Sequence, residues 1–236
     1  LVRVFPDPGR MMSQRCWALA IADGVTKHPC RPAMGIFGRE VDFAALTLMR
    51  DLIGDRALMT DVNQGWDVET ACANWSAYSD FGLGWIEEPL PADRPLDEWQ
   101  RIAALGGSDI AAGENLLGDA QFDAYIDAQV LGVVQPDMCK WGGFSKALPL
   151  AKRIMAAGQR YCPHFLAGPI GVLSAAHCLA VAEGSGILEI DANPNPLRER
   201  LTGGLPAIKD GIMTLPDGPG LGVEPDPDAL KDFRVD

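Results

Sequence analysis

Six ionisable residues each end a short apolar segment of this chain and follow one another at intervals of about 25 residues: Asp61, Glu87, Glu114, Asp137, His164 and Glu189. The first three are carboxylates in the contexts TDVNQGW, WIEEPL and AAGENL. If neighbouring strands about 4.8 Å apart carry them to one edge of a sheet, they repel one another unless a cation lies among them. Ligation by oxygen alone favours Mg²⁺, with Mn²⁺ as a substitute, over zinc.

A candidate proton-transfer pair follows these carboxylates. His164 ends the segment QRYCPH, and an imidazole with an ordinary pKa of about 6.5 suits proton transfer at neutral pH. Asp137, one strand earlier, can orient the ring by hydrogen bonding. Glu189 either donates a proton or hydrogen bond to a substrate or pairs structurally with Arg198 or Arg200.

Alternating segments must position these side chains. Strands are predicted at 57–63, 84–89, 109–115, 130–137, 159–164 and 186–191, and helices at 67–82, 95–106, 119–129, 143–158 and 168–184. Strands that alternate with helices indicate a parallel sheet. A doubly wound sheet would place function at one switch point. Ionisable residues at every strand end instead predict an α/β fold of the TIM-type (β/α) barrel class, with its site at the carboxyl ends of the strands.

The amino-acid composition limits the classes of partner that the protein is expected to bind. The 236 residues are 47% hydrophobic and 22% charged, which suits one globular domain. A net charge of −12 disfavours nucleic acid and anionic membranes as partners. No apolar run reaches the roughly 18 residues of a membrane span, and no signal-peptide pattern opens the chain, so a cytoplasmic protein is expected. The six cysteines form no CxxC pair, which indicates reduced thiols.

Taken together, the motifs resemble the mandelate racemase/muconate lactonizing enzyme family of the enolase superfamily, and its mandelate racemase subgroup in particular. They are DVNQGW, WIEEPL, AAGEN, QPDMCKWGG, the histidine of YCPH, and LEIDANPNPLRE, in the family's order. The resemblance implies an enolase-superfamily barrel in which Asp61, Glu87 and Glu114 bind Mg²⁺. It also implies that Asp137 and His164 form the Asp–His dyad of the subgroup.

The resemblance also implies a reaction. In the family, a carboxylate substrate binds the metal, and the enediolate formed by loss of the α-proton is stabilised by the cation. The closing motifs look most like those of sugar-acid dehydratases and aldarolactone cycloisomerases. We therefore expect a Mg²⁺-dependent lyase in which His164 removes the α-proton of a small-molecule carboxylate, a sugar acid or its lactone.

The chain departs from the family pattern near its start. Family members carry an amino-terminal capping domain, whereas here only residues 1–37 precede the recognisable portion at 38–236. We expect residues 1–37 to be irregular and the first two βα units of the barrel to be incomplete or irregular. The Lys-x-Lys motif of the second strand has no counterpart in RPAMGIFGRE at 31–40, and the nearest lysine is Lys27. Exposed strand edges in such a barrel predict assembly as a homo-oligomer.

Two alternatives stay open. A racemase or epimerase of a 2-hydroxy acid needs a second base, for which Lys27 is the candidate. A catalytically inactive barrel that binds metal or a partner would follow from the missing cap and lysines. Two further residues are open as well. Because side chains alternate along a strand, Glu88 is expected to make a contact outside the metal site, and Lys140 reaches either a substrate or a neighbouring acid.

Overall fold

The computed structural model describes residues 2–5, 19–21, 34–35, 38–191 and 194–234. Its elements in chain order are β1 (Val2–Phe5), β2 (Leu19–Ile21), α1 (Arg39–Ile53), β3 (Leu58–Asp61), α2 (Val68–Ser79), β4 (Ile86–Glu87), α3 (Leu96–Ala103), β5 (Ile110–Ala112), α4 (Asp119–Asp127), β6 (Val133–Val134), α5 (Gly143–Ala156), β7 (Arg160–Tyr161), α6 (Pro169–Ala182), β8 (Leu188–Glu189), α7 (Pro196–Arg200), β9 (Ile208–Lys209), β10 (Ile212–Met213) and a 3-10 helix (Pro227–Phe233).

Strands β3 to β7 form a parallel sheet in which spatial order follows chain order. This arrangement has no switch point, so the α/β fold predicted from the βα alternation is confirmed and a doubly wound sheet is excluded. The structure brings β8 next in line, because the amide of Glu189 donates to the carbonyl oxygen of Pro163 at 3.4 Å. Strand β8 in turn pairs in parallel with β1.

The start of the barrel is irregular, as expected from the sequence. Strand β2 lies beside β3 but runs antiparallel to it, whereas a regular barrel strand would run parallel. The other edge of β1 pairs with β10, which continues into the β9–β10 hairpin. Among the described residues, no ladder joins β1 to β2. The candidate second base Lys27, and most of the 31–40 segment before α1, lie outside the described residues.

Local chemistry explains where several helices begin. Asp67 caps α2, since its side chain accepts a hydrogen bond from the amide of Thr70 at 2.8 Å. Helix α6 begins at Pro169. Proline lacks an amide hydrogen, but the amides of the first helical turn have no partner within the helix, so no hydrogen bond is lost there. Helices α2 to α6 fall where the sequence predicts helices. Helix α1 was not predicted, and it buries Leu46 and Ile53 against the core.

The strands separate two apolar regions. The larger one lies between the strands and the helices and includes Leu58, Ile86 and Val134. A second, smaller cluster takes one residue from each strand segment from β3 to β8: Met59, Trp85, Ala111, Val133, Cys162 and Ile187. Because side chains alternate along a strand, this cluster faces the interior, and we call it the interior floor.

The residue two positions further along each segment faces the same side. These residues form a second layer above the floor: Asp61, Glu87, Gly113, Gln135, His164 and Glu189. The apolar floor therefore supports a layer that is almost entirely polar, at the carboxyl ends of the strands. In the described part of the chain, no helix is long and apolar enough to cross a membrane.

Candidate active site

The sequence-predicted site residues all lie at the carboxyl ends of β3 to β8. Asp61, Glu87 and Glu189 are the last residues of their strands. Glu114, Asp137 and His164 stand shortly after the ends of β5, β6 and β7. Parallel strands carry these ends to one edge, so the barrel positions all six side chains on the same face.

Asp137 and His164 form a buried pair. His164 Nδ1 lies 3.0 Å from Asp137 Oδ2. The other carboxylate oxygen, Oδ1, accepts hydrogen bonds from the amides of Cys139 at 2.8 Å and Lys140 at 3.2 Å. Burial alone would raise the pKa of Asp137, but the bonds from His164 and from the Cys139 amide lower it. The turn into α5 thus fixes the carboxylate against the imidazole.

Glu114 lies against the other side of the same ring. Its Oε2 is 2.6 Å from His164 Nε2, and its Oε1 is 3.2 Å from Lys140 Nζ. Burial opposes ionisation, yet His164 and Lys140 lower the pKa of Glu114 to about 2. Burial also disfavours charge on His164, but Glu189, Asp137 and Glu114 raise its pKa to about 11. The contact of Lys140 in this structure is therefore an acid of the site.

Asp61 and Glu87 form a second group, whose pKa values are raised rather than lowered. They are register partners on neighbouring strands. Burial raises the pKa of Asp61, and the charge of Glu87 raises it further, although the amide of Asn63 donates to Asp61 Oδ1 at 2.6 Å. Burial likewise raises the pKa of Glu87, and the charge of Glu114 adds to this effect. These carboxylates are crowded by like charge.

Of the two remaining acids, Glu88 is buried and Glu189 is partly buried. Glu88 has a φ of 41°, which breaks the strand alternation directly after Glu87, and its oxygens accept from Asn115 Nδ2 at 2.9 and 3.1 Å. Burial and the charge of Glu114 raise the pKa of Glu88 to about 7. Burial and the charge of Glu87 raise that of Glu189 to about 8.

The structural alternative for Glu189 was a pairing with one of two arginines. Glu189 Oε2 has no hydrogen-bond partner among the described residues. Arg198 pairs with Asp191 at 3.3 Å, and the guanidinium of Arg200 lies 5.1 Å from the ring centroid of Phe233. An oxygen of Glu189 is thus left available to a bound molecule.

Sequence reasoning did not single out Trp85, Gln135 or Asn115. Trp85 Nε1 donates to Glu87 Oε2 at 3.1 Å, and Gln135 also forms a side-chain hydrogen bond with Glu87. The amide of Asn115 bridges Glu88 and Glu114, the latter at 3.1 Å. The available signal was the period of two along each strand, which places Trp85 below Glu87 and Gln135 in the layer of His164.

The donor set can be tested for its fit to a metal. Within the described ranges, no group of three or more His, Cys, Asp or Glu side chains is spaced to hold a metal ion, and Glu114 contacts His164 and Lys140 instead. The chemistry nevertheless fits a hard divalent cation: the donors are oxygens, Asp61 and Glu87 repel each other, and Glu189 Oε2 lacks a partner. Glu114 belongs to the same electrostatic cluster, since its charge acts on Glu87.

The barrel and these strand-end motifs are those of one protein family. A family model described as enolase C-terminal domain-like matches residues 21–229. The chain therefore belongs to this family of the enolase superfamily, and the resemblance found in the sequence is confirmed.

Individual relatives are sugar-acid enzymes by name. D-galactarolactone cycloisomerase of Agrobacterium fabrum is 32% identical over 217 residues, which are 88% of this chain and 57% of that protein. L-talarate/galactarate dehydratase of Salmonella typhimurium is 35% identical over 183 residues, 77% of this chain and 43% of that protein. The chain thus spans about half the length of the curated relatives it matches.

Solved structures agree with this result. A mandelate racemase/muconate lactonizing enzyme from Bordetella bronchiseptica RB50 superimposes with a TM-score of 0.76 at 43% identity, covering 83% of this chain and 55% of that one. L-talarate dehydratase from Polaromonas sp. JS666, complexed with Mg and L-glucarate, gives a TM-score of 0.74 at 29% identity, covering 85% of this chain and 54% of the other.

Proposed function

We propose that this chain is the barrel part of a Mg²⁺-dependent lyase, a dehydratase or cycloisomerase, that removes the α-proton of a sugar-acid carboxylate or its lactone. The observation that carries the proposal is the buried Asp137–His164 pair, which lies beside crowded carboxylates at the same strand ends. The names of the relatives support the substrate class.

Asp61, Glu87 and Glu114 would hold the cation. When bound, Mg²⁺ would supply Lewis-acid stabilisation of the negative charge that develops on the substrate carboxylate. Mn²⁺ is the expected substitute, because oxygen ligands suit both ions.

His164 would act as the general base through Nε2, since Nδ1 faces Asp137. A pKa of about 11 keeps the ring protonated in this arrangement, so His164 would accept a proton only after its contact with Glu114, one cause of the raised pKa, is lost. Asp137 holds the proton of Nδ1 in place and stabilises the imidazolium that forms. Glu114 Oε2 lies 2.6 Å from Nε2, so a substrate can reach the base only when this carboxylate withdraws. Glu114 therefore has to exchange His164 for another partner during the cycle.

Glu189 would serve as a hydrogen-bond or proton donor. Its raised pKa, about 8, keeps its carboxyl group protonated near neutral pH. In the elimination, the electron pair of the broken α C–H bond forms a double bond to the β-carbon as the β C–O bond breaks. A leaving hydroxyl takes a proton and departs as water, whereas the ring oxygen of a lactone departs as the carboxylate of the opened ring.

The test is a panel of aldonates, aldarates and their lactones with the purified chain and Mg²⁺. Formation of a 2-keto acid, or of an opened lactone, would support the proposal. Exchange of the substrate α-proton in D₂O, followed by NMR, detects proton abstraction even where elimination is slow. A folded chain that gives neither product nor exchange across the panel would favour the inactive barrel.

A further inference from the structure

Glu87 receives a hydrogen bond from below. Trp85 belongs to the interior floor, and its indole N–H donates to Glu87 Oε2 at 3.1 Å. Both residues are buried, with 5% and 7% of their surfaces exposed. The guanidinium of Arg160 lies 5.6 Å from the centre of the indole ring and helps to fix its orientation. The donor is therefore held rigidly beneath the carboxylate.

A second neutral side chain, that of Gln135, also acts on Glu87 by hydrogen bonding and lowers its pKa. Gln135 follows β6, two strands away from β4, and it is 2% exposed. Between them, directly after β5, the layer contains Gly113, which has no side chain to fill the gap. A Cβ added at Gly113 would lie 2.7 Å from the backbone nitrogen of Gln135. The glycine thus lets β5 and β6 approach closely, and hydrogen bonding by the Gln135 side chain lowers the pKa of Glu87.

Both donors are neutral. A lysine or arginine in the same place would neutralise Glu87 and weaken its attraction for a cation. Neutral N–H groups satisfy part of the carboxylate's hydrogen-bonding capacity and fix its orientation, while its negative charge is retained. Partners of this kind behind a metal ligand are typically worth about 10-fold to 100-fold in metal affinity.

We propose that Trp85 and Gln135 are positioning residues that hold the Glu87 carboxylate in place for a divalent cation. This inference rests on the metal assignment of the proposed function. It goes beyond that assignment, because it adds two residues that never contact the metal and explains why the interior floor contains a tryptophan at this strand.

The test compares matched variants of the full chain. Trp85→Phe removes the indole N–H that reaches Glu87. Trp75→Phe is its control, because Trp75 is equally buried but donates to the backbone carbonyl of Gly106 at 2.8 Å. Gln135→Leu removes the second donor. Gln159→Leu is its control, since Gln159 is also buried and its side chain has no hydrogen-bond partner among the described residues.

Calorimetry with Mg²⁺ should show Kd raised about 10-fold in Trp85→Phe and in Gln135→Leu, and unchanged within about twofold in the two controls. Mn²⁺ provides a spectroscopic readout. It should quench part of the tryptophan emission in the wild type and in Trp75→Phe, and this part should be lost in Trp85→Phe, which would show that the ion binds beside Trp85. The readout that a purely structural role would not move is the Mg²⁺ affinity, which should fall in Trp85→Phe and not in the equally buried Trp75→Phe.

The outcomes separate the two claims. If one variant fails to fold, the other decides the matter. Equal Mg²⁺ affinities in the wild type and the folded variants would overturn the positioning role and leave the proposed reaction untouched. A wild-type chain that binds neither Mg²⁺ nor Mn²⁺ would overturn the inference together with the metal assignment, and proton exchange in D₂O would still report on His164 by itself.

Discussion

The carboxylates on the two sides of the site have pKa values shifted in opposite directions. Asp61 and Glu87 are crowded by like charge and have raised pKa values, whereas Asp137 and Glu114 lie against His164 and have lowered ones. Burial is common to both sides, so the difference comes from the partner. On one side His164 is the partner of the carboxylates, and on the other the metal ion of the proposed function would be.

The largest expected effect concerns His164, the proposed general base. His164→Asn should lower the rate of substrate α-proton exchange by about 10²-fold to 10⁴-fold, because the general base is removed. Mg²⁺ affinity should change little, since the crowded carboxylates are intact. NMR in D₂O and calorimetry measure the two quantities, and His177→Asn in α6 is the control. Equal loss of metal binding would contradict the separation of the two sides.

Loss of a partner in the Asp137–His164 pair should also lower the free energy of unfolding. Asp137→Ala leaves the buried His164 without one of its acids and should lower the free energy of unfolding by about 3 kcal/mol, as when one member of a buried pair is removed. Urea denaturation of the metal-free chain measures this difference. A loss no larger than that of an exposed alanine substitution would show that the pair is not coupled to folding.

At Asp61 and Glu87, the two carboxylates crowded by like charge, removal of one charge should raise the free energy of unfolding of the metal-free chain. Glu87→Gln removes a buried charge beside Asp61 but keeps an oxygen for Trp85, so the metal-free chain should become more stable by about 1 kcal/mol. The same variant should bind Mg²⁺ more weakly. Denaturation with and without Mg²⁺ gives both results, and destabilisation of the metal-free protein would mean that Asp61 and Glu87 are not in conflict.

The smallest effect is expected at a carboxylate paired in solvent. Asp119 at the start of α4 pairs with Lys146 and Arg153 of α5, and its pKa is lowered chiefly by the bond from Lys146. A lowered pKa stabilises the fold above the carboxylate's ordinary range, and the effect is lost as pH falls through the lowered pKa. Asp119→Asn should therefore lose a small, salt-sensitive part of the stability at neutral pH and none in acid. Denaturation at several pH values and salt concentrations tests this, and a salt-independent loss as large as that of Asp137→Ala would refute the contrast.

The sequence predicted much of the fold because βα units have a regular length and because their apolar residues alternate between two spacings. The spacing is two residues in the strands and about 3.6 in the helices. Helices α2 to α6 and strands β3 to β8 lie within or close to the predicted ranges. The antiparallel course of β2 was not predicted, because the residues before α1 show neither period. Helix α1 was missed at the same boundary. The roles assigned to the strand-end residues stay predictions that the exchange and metal-binding experiments address.

Local sequence determined which residues lie at or just beyond the end of each strand, because an apolar run that stops at an acid or a histidine marks that position without reference to the rest of the chain. It could not determine which of these side chains meet. The tertiary structure decided the contact of Glu114 with His164 and Lys140, the left-handed backbone at Glu88, and the close approach of Gly113 to Gln135. These contacts depend on how close neighbouring strands approach and on side chains that are far apart in sequence.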